Sequence, residues 1–325
     1  MQRLLFSTDT DSGTVTVYDI ASTSAPVAKI QIGNGPRGAV RFTKDGRGFV
    51  TNHAGNTISE IDAFSLREVG RIVVGIAPIG NAIVPGDRFL LVSNSGDNTV
   101  SVVDLNIRKE VFVVPVGREP RHPDISPDGQ FAYIPLSGGD SVIKLDVSEL
   151  LNATPTFSNI KVVARVFLGV GTFPYSAAVS PKGDKVIAAN NQADFITVID
   201  AASSTVERNI PVGTKGARGT AFTPDGAVAF VSLEDTSEIL AIDVARGAIL
   251  QRIPSGPGPR GLLFDAVTET VFGSSFSRTG TGGGLVPNSI SLLNVGANPL
   301  NLLAPPSVRS INVGAGPCSV ALFER

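Results

Sequence analysis

A marker of the form Val-Gly-x-x-Pro, or a close variant of it, recurs seven times along this 325-residue chain. Its glycines are Gly33, Gly75, Gly117, Gly169, Gly213, Gly256 and Gly314, at spacings of 42, 42, 52, 44, 43 and 58 residues. A fixed period of this size points to a repeat architecture, in which one supersecondary unit is stacked many times. Two of the intervals are long, and insertions account for them.

Each marker is followed by the same pattern. After Gly33-Asn34-Gly35-Pro36 come an apolar stretch (Ala39 to Phe42), the turn Lys44-Asp45-Gly46-Arg47 and a second strand (Gly48 to Thr51). A short loop (His53 to Asn56), a third strand (Thr57 to Asp62) and a fourth (Val69 to Val74) lead into the next marker. Asp-Gly between apolar runs is a strong hairpin signal. It recurs at Asp128-Gly129 and Asp225-Gly226, with Lys182-Gly183 in the fourth repeat. Four short antiparallel strands repeated seven times predict an all-β fold, a seven-bladed β-propeller.

The ends complete each other. Residues 1–32 supply three strands (Leu4-Leu5-Phe6, Thr14 to Asp19, Val27 to Ile32), and residues 318–323 supply the missing first strand. The expectation is one domain over 1–325 whose closing blade is shared by the two ends, leaving no exposed sheet edge at the seam.

Composition narrows the function classes. A formal net charge of −2, with no block of like charge, gives no footprint for nucleic acid or an anionic membrane. No apolar run is long enough to span a bilayer, and the first residues enter strand-like sequence at once. The expectation is a soluble monomer, cytoplasmic as written, or periplasmic or secreted if a leader was removed. The one cysteine, Cys318, excludes an internal disulfide framework.

The second-strand segments Phe49-Val50-Thr51-Asn52, Leu91-Val92-Ser93-Asn94 and Ile187-Ala188-Ala189-Asn190 are followed by third strands such as Asn98-Thr99-Val100-Ser101-Val102-Val103-Asp104 and Ile196-Thr197-Val198-Ile199-Asp200. Over essentially the whole chain this resembles the YVTN family of propeller repeats, found in surface-layer and periplasmic proteins and near the lactonase-like propellers. The resemblance implies the propeller fold; its members bind proteins, bind ligands or have no assigned role. The chain has no Trp, so the Trp-Asp signature of WD40 blades is missing.

In such propellers the residues just after the markers meet at a funnel around the central channel. Here they are Arg37, Ile79, Arg121, Tyr175, Arg218, Arg260 and Cys318. Four arginines in seven positions predict a cationic mouth suited to carboxylate or phosphate. The loops between second and third strands face it with His53, Ser95, Ser137, Asn191, Glu234, Phe276 and Asp9. The candidate ligand-binding set is therefore Arg37, Arg121, Arg218, Arg260, Asn191, Glu234 and Arg278. The competing reading is that the arginines only pair with acids such as Glu234 or Asp9.

His122, His53 and Tyr175 are the candidates for moving a proton. His53, His122 and Glu234 form a weaker alternative, a two-His-one-carboxylate metal site, the kind of group that the seven-bladed streptogramin lyases use. No spacing forces those three together, and no cofactor fingerprint is present. Cys318 reads as a small buried hydrophobe, and Asp9-Thr10-Asp11-Ser12-Gly13 as a turn that lacks the last acid of a calcium loop. The insertion from Phe276 to Pro287 reads as a lid at the funnel or as a disordered excursion. Those at Val147 to Ile160 and Val295 to Ser307 fall between third and fourth strands, with a short helix expected at Ser148 to Leu151. Three functions stay open: a binder of a small anion or acidic peptide, an enzyme of lactonase, lyase or isomerase type at the same funnel, or a protein-binding scaffold.

Overall fold

The computed structural model describes residues 2–276, 288–296, 299–301 and 306–325. Among the described residues, seven four-stranded antiparallel sheets follow one another around a central channel. Counting from the first marker, blade one holds strands Pro36–Phe42, Arg47–Asn52, Thr57–Asp62 and Arg67–Val73. Blades two to six repeat this order, with inner strands starting at Pro78, Asp124, Pro174, Ala217 and Pro259. The seventh sheet takes its inner strand, Pro317–Glu324, from the C-terminal end and Arg3–Asp9, Thr14–Asp19 and Ala28–Gln31 from the N-terminal end. The expected seam is therefore present, with Arg3 opposite Glu324 and Phe6 opposite Ala321.

Inner strands begin earlier than the apolar pattern indicates, at the marker proline itself. Pro36 faces Asn52 and Arg37 faces Thr51, and the register then slips before Arg41 meets Phe49. The slip sits at Gly38, whose φ of 68° is a left-handed conformation suited to glycine. Blade three differs. Its inner strand is only Asp124–Ile125, because Pro120 and Pro123 remove two N–H donors. The short helix of the first insertion is a single 3-10 turn, Ser148–Leu151. No helix is long and apolar enough to cross a membrane.

The core is divided by blade. Seven apolar clusters each span one blade-to-blade interface. Successive residues of one strand serve different interfaces: Phe49 packs toward blade two and Val50 toward the closing blade. Period-two alternation with both faces covered makes the second strands continuous buried runs.

The marker glycines have two separate causes. Asn52, at the end of a second strand, donates to Thr57 Oγ1 (3.0 Å) and Ser59 Oγ (2.8 Å) of the third, and Asn94 repeats this with Thr99 and Ser101. A Cβ at Gly33 would lie 2.5 Å from Asn52 Cγ, and one at Gly75 would lie 2.5 Å from Asn94 Nδ2. Gly314 meets Asp9 and Gly256 meets Ser275 in the same way. At Gly117, Gly169 and Gly213 the reason is a positive φ instead. We predict that Gly33→Ala lowers stability by about 1–3 kcal/mol through overpacking against Asn52. In thermal unfolding, Gly70→Ala, whose Cβ would make only an ordinary contact, should cost far less.

Asp9 stands in the closing blade where Asn52 and Asn94 stand elsewhere. Fully buried, it accepts from Ser7, Thr14 and Thr16 hydroxyls and from Gly314 N–H. Burial outweighs those bonds and raises its carboxyl to about 6. A folded pKa above the unfolded one means that this group's contribution is best in acid and is lost as pH rises through about 6. Asp9→Asn should therefore raise the unfolding temperature at about pH 8 and lose that advantage at about pH 4, where the carboxyl is protonated in the fold.

Candidate functional site

The residues that follow the marker prolines converge at one end of the channel, as the repeat alignment implies, but they are paired unequally. Glu234 serves two arginines. One carboxylate oxygen takes Arg218 Nε, and the other takes Arg260 Nε at 2.8 Å and Nη2 at 2.6 Å. The Arg260 guanidinium also lies 3.3 Å from the centre of the Phe276 ring. Arg121 donates to Ser137 Oγ and to Glu119, both at 3.1 Å, and stands over Phe173 and Tyr175.

Arg37 is the exception. Among the described residues it has no carboxylate partner within ion-pair distance, and its Nε is buried with no hydrogen-bond partner. A buried donor left unmade costs about 1–3 kcal/mol, which sets Arg37 apart from its paired neighbours. Four guanidinium groups thus face two carboxylates, those of Glu119 and Glu234.

Tyr175 lies in the middle of this ring. Arg218 stacks 4.2 Å from its ring centre, Arg121 sits at 5.4 Å, and the His122 imidazole is 5.2 Å away at 48°. His122 takes the place that Gly38, Gly80, Gly219 and Gly261 hold in other blades. Those glycines let neighbouring inner strands approach. A Cβ at Gly80 would come within 2.7 Å of His122 Cα and 2.9 Å of its Nδ1, and one at Gly38 within 3.6 Å of its Cε1. The imidazole therefore lies across two glycine backbones, in space that only residues without a Cβ leave open.

Electrostatics keep that imidazole neutral. Burial, followed by Arg121, Arg41, Arg37 and Arg218, pushes its pKa down to about 3. His53 is shifted the same way by burial and Arg37, and its Nδ1 is buried without a partner. This corrects the expected roles. A group that protonates only near 3 is a weak general base at neutral pH, so His122 is suited to hydrogen bonding as a neutral ring.

The metal alternative also fails on geometry. No three His, Cys, Asp or Glu among the described residues stand close enough to hold a metal ion. Glu234 is engaged by two arginines, and both histidines lie in a cationic field that repels a divalent ion. Asn191 turns into the protein, donating to Ala217 O and accepting from Gln192. Cys318 lines the channel with its Sγ 3.9 Å from Pro36 O, and burial raises its thiol, which keeps it protonated. Arg278 and the lid reading of its loop lie outside the described residues.

The channel encloses about 520 Å³ and runs from Arg37, Tyr175, Arg218 and Arg260 down to Phe42, Pro85 and Pro127 at the opposite end. Arg41 and Asp124, absent from the expected set, line its lower part. The signal was there. Asp124 interrupts a position held elsewhere by Val40, Ala82, Ala178, Ala221, Leu263 and Ala321. Burial raises its carboxyl, against the pull of Arg41 and of N–H donors from Val179 and Ile125.

A direct check follows from the His122 shift. Its ring should remain neutral by ¹H–¹⁵N NMR at about pH 5, where an ordinary histidine is protonated. Because the folded pKa is depressed, the stability tied to the neutral ring is present above about 6.5 and declines as pH falls toward 3.

Comparison with known proteins agrees with this architecture. Solved structures that share the fold include one from Lactobacillus plantarum (15% identity, all of both chains, TM-score 0.79). Another is a functionally unknown protein from Desulfotomaculum acetoxidans (13% identity, 98% of each chain, TM-score 0.78). A third is hydrazine synthase from Kuenenia stuttgartiensis (21% identity, 86% of this chain and 88% of that one, TM-score 0.72). At these identities the likeness is one of fold alone. No curated protein sequence matches significantly. The model of the family described as lactonase, 7-bladed beta-propeller, matches residues 81–251, just over half of the chain. The chain belongs to the lactonase seven-bladed β-propeller family.

Proposed function

We propose that the protein binds a small anion, a carboxylate or a phosphate, at the arginine-lined mouth of its channel. The observation that carries this reading is Arg37: a guanidinium without a counter-ion, its buried Nε unsatisfied, in a mouth with more cations than acids. Had every arginine been matched to an acid, the mouth would read as a structural ion-pair ring and the scaffold reading would take precedence. Asn-ended second strands also support our assignment of the repeat to the YVTN type.

Membership of the lactonase family favours a second reading at the same place. Opening a lactone ring by water yields a carboxylate and releases a proton at neutral pH. A guanidinium that has no other partner would stabilise the oxyanion that forms on the way. Tyr175 and neutral His122 would position the ring, with hydroxide or water as the nucleophile.

The test uses calorimetric titration of acetate, phosphate and a panel of lactones into the wild type and Arg37→Gln. A charge-assisted hydrogen bond is worth about 1.5–3 kcal/mol, so the variant should bind its anion roughly 10- to 100-fold more weakly. Steady proton release with a lactone, followed by pH-stat, would mark turnover. Equal binding by wild type and variant, or no anion binding by either, would overturn the proposal and leave the protein-binding scaffold.

A further inference from the structure

The lower part of the channel holds two opposite charges that do not meet. Strand register sets their depth. Phe49, Leu91, Tyr133, Phe272 and Phe6 each lie three residues before the end of a second strand. Their partners on the inner strands are Arg41, Ala82, Asp124, Leu263 and Ala321. In blade one the slip at Gly38 brings Arg41, one position beyond Val40, to this depth. All five line the same cavity. Arg41 is exposed, and its one hydrogen bond among the described residues runs from Nε to Asn81 O at 3.4 Å, so neither Nη is engaged. Asp124 accepts from Val179 N–H at 2.9 Å and Ile125 N–H at 3.0 Å, one on each oxygen. A carboxylate has about four acceptor sites, so each oxygen keeps one free. Arg41 is near enough to pull the Asp124 carboxyl down against the rise that burial causes, yet the two stand outside ion-pair distance.

That gap selects what can fill it. A second simple anion would meet Arg41 but face the Asp124 carboxylate, and a metal cation would meet Asp124 but face the guanidinium. An apolar group would leave both charges unpaired. A group that carries both charges satisfies both. We infer that this layer is a second binding site, separate from the mouth, for the zwitterionic head of an α-amino acid, with its carboxylate on the Nη pair of Arg41 and its ammonium on Asp124. The inference does not depend on the anion reading at Arg37. Charge-assisted hydrogen bonds form at both ends, and the ammonium favours the ionised form of Asp124, which burial otherwise opposes. Ala82 and Ala321 contribute only methyl groups at this depth, which leaves room for the head. One register step toward the mouth, Thr220 Oγ1 is buried without a partner and gives the cavity a further acceptor.

Glycine, acetate, methylamine and acetamide, titrated into the full chain carrying Arg37→Gln at constant ionic strength, test the inference with the mouth disabled. The backbone amides of Ile125 and Val179, which donate to Asp124, report the site in ¹H–¹⁵N spectra. Glycine should shift both saturably. The other three, which offer one charge or none, should bind at least about tenfold more weakly. Arg41→Gln, at an exposed position, should weaken glycine binding about 10- to 100-fold, and Asp124→Asn should do the same. Amides that do not move with glycine, or that respond equally to acetate, methylamine or acetamide, overturn the inference. So does a glycine response that survives Arg41→Gln, which decides the matter alone if Asp124→Asn does not fold. Acetate binding at Arg37 is read separately, by calorimetry on the wild type, so either site can fail without the other.

Discussion

Pairing of the strand Pro317–Glu324 with Arg3–Asp9 is the contact on which the rest of the molecule depends. A propeller blade cannot bury its own apolar faces; each is covered by the next blade, so an open array would leave two faces and two sheet edges in water. Here the seam sheet has its full four strands, and apolar clusters lie on both its sides, toward blade six and toward blade one. Side chains reinforce the seam: Arg3 bonds Glu324 across the two ends at 2.7 Å and Asp265 of blade six. With the circle closed, the seven inner strands hold one another in place, and the residues after the marker prolines face a common axis.

That geometry makes charge at the mouth consequential. Residues that repeat around an axis are brought close whatever their sign, so arginines at several equivalent positions repel unless something balances them. Glu234 balances two of them and Glu119 a third. Arg37 is left over, and the field of the group depresses both nearby histidines. The same field that makes these rings poor bases and poor metal ligands is the basis of the anion site we propose at the mouth.

Much of this could be read from the residues before any coordinates. The fold was legible because Gly33, Gly75 and Gly314 recur for a steric reason, the side chain at the end of the following second strand, and a steric reason repeats as regularly as the blades do. The arginine ring was legible because it occupies one alignment column. Pairing was not: whether Glu234 reaches one arginine or two depends on side-chain conformations across blades. The neutrality of His122 was hidden as well, since Arg121, Arg41, Arg37 and Arg218 come from three different blades. Asp124 was visible as a break in an apolar column, but its place in the channel followed only from the inner strand that Pro120 and Pro123 shorten to Asp124–Ile125.

The central claim, that Arg37 is held ready for an external anion, is tested most directly by following arginine Nε–H resonances in ¹H–¹⁵N spectra during an acetate titration at constant ionic strength. The account predicts a saturable shift of the Arg37 Nε–H, with a smaller response at Arg121 and none at Arg71, which is already paired to Glu68 on the surface. An Arg37 resonance that does not move, or a uniform drift of all arginines with salt, would contradict it.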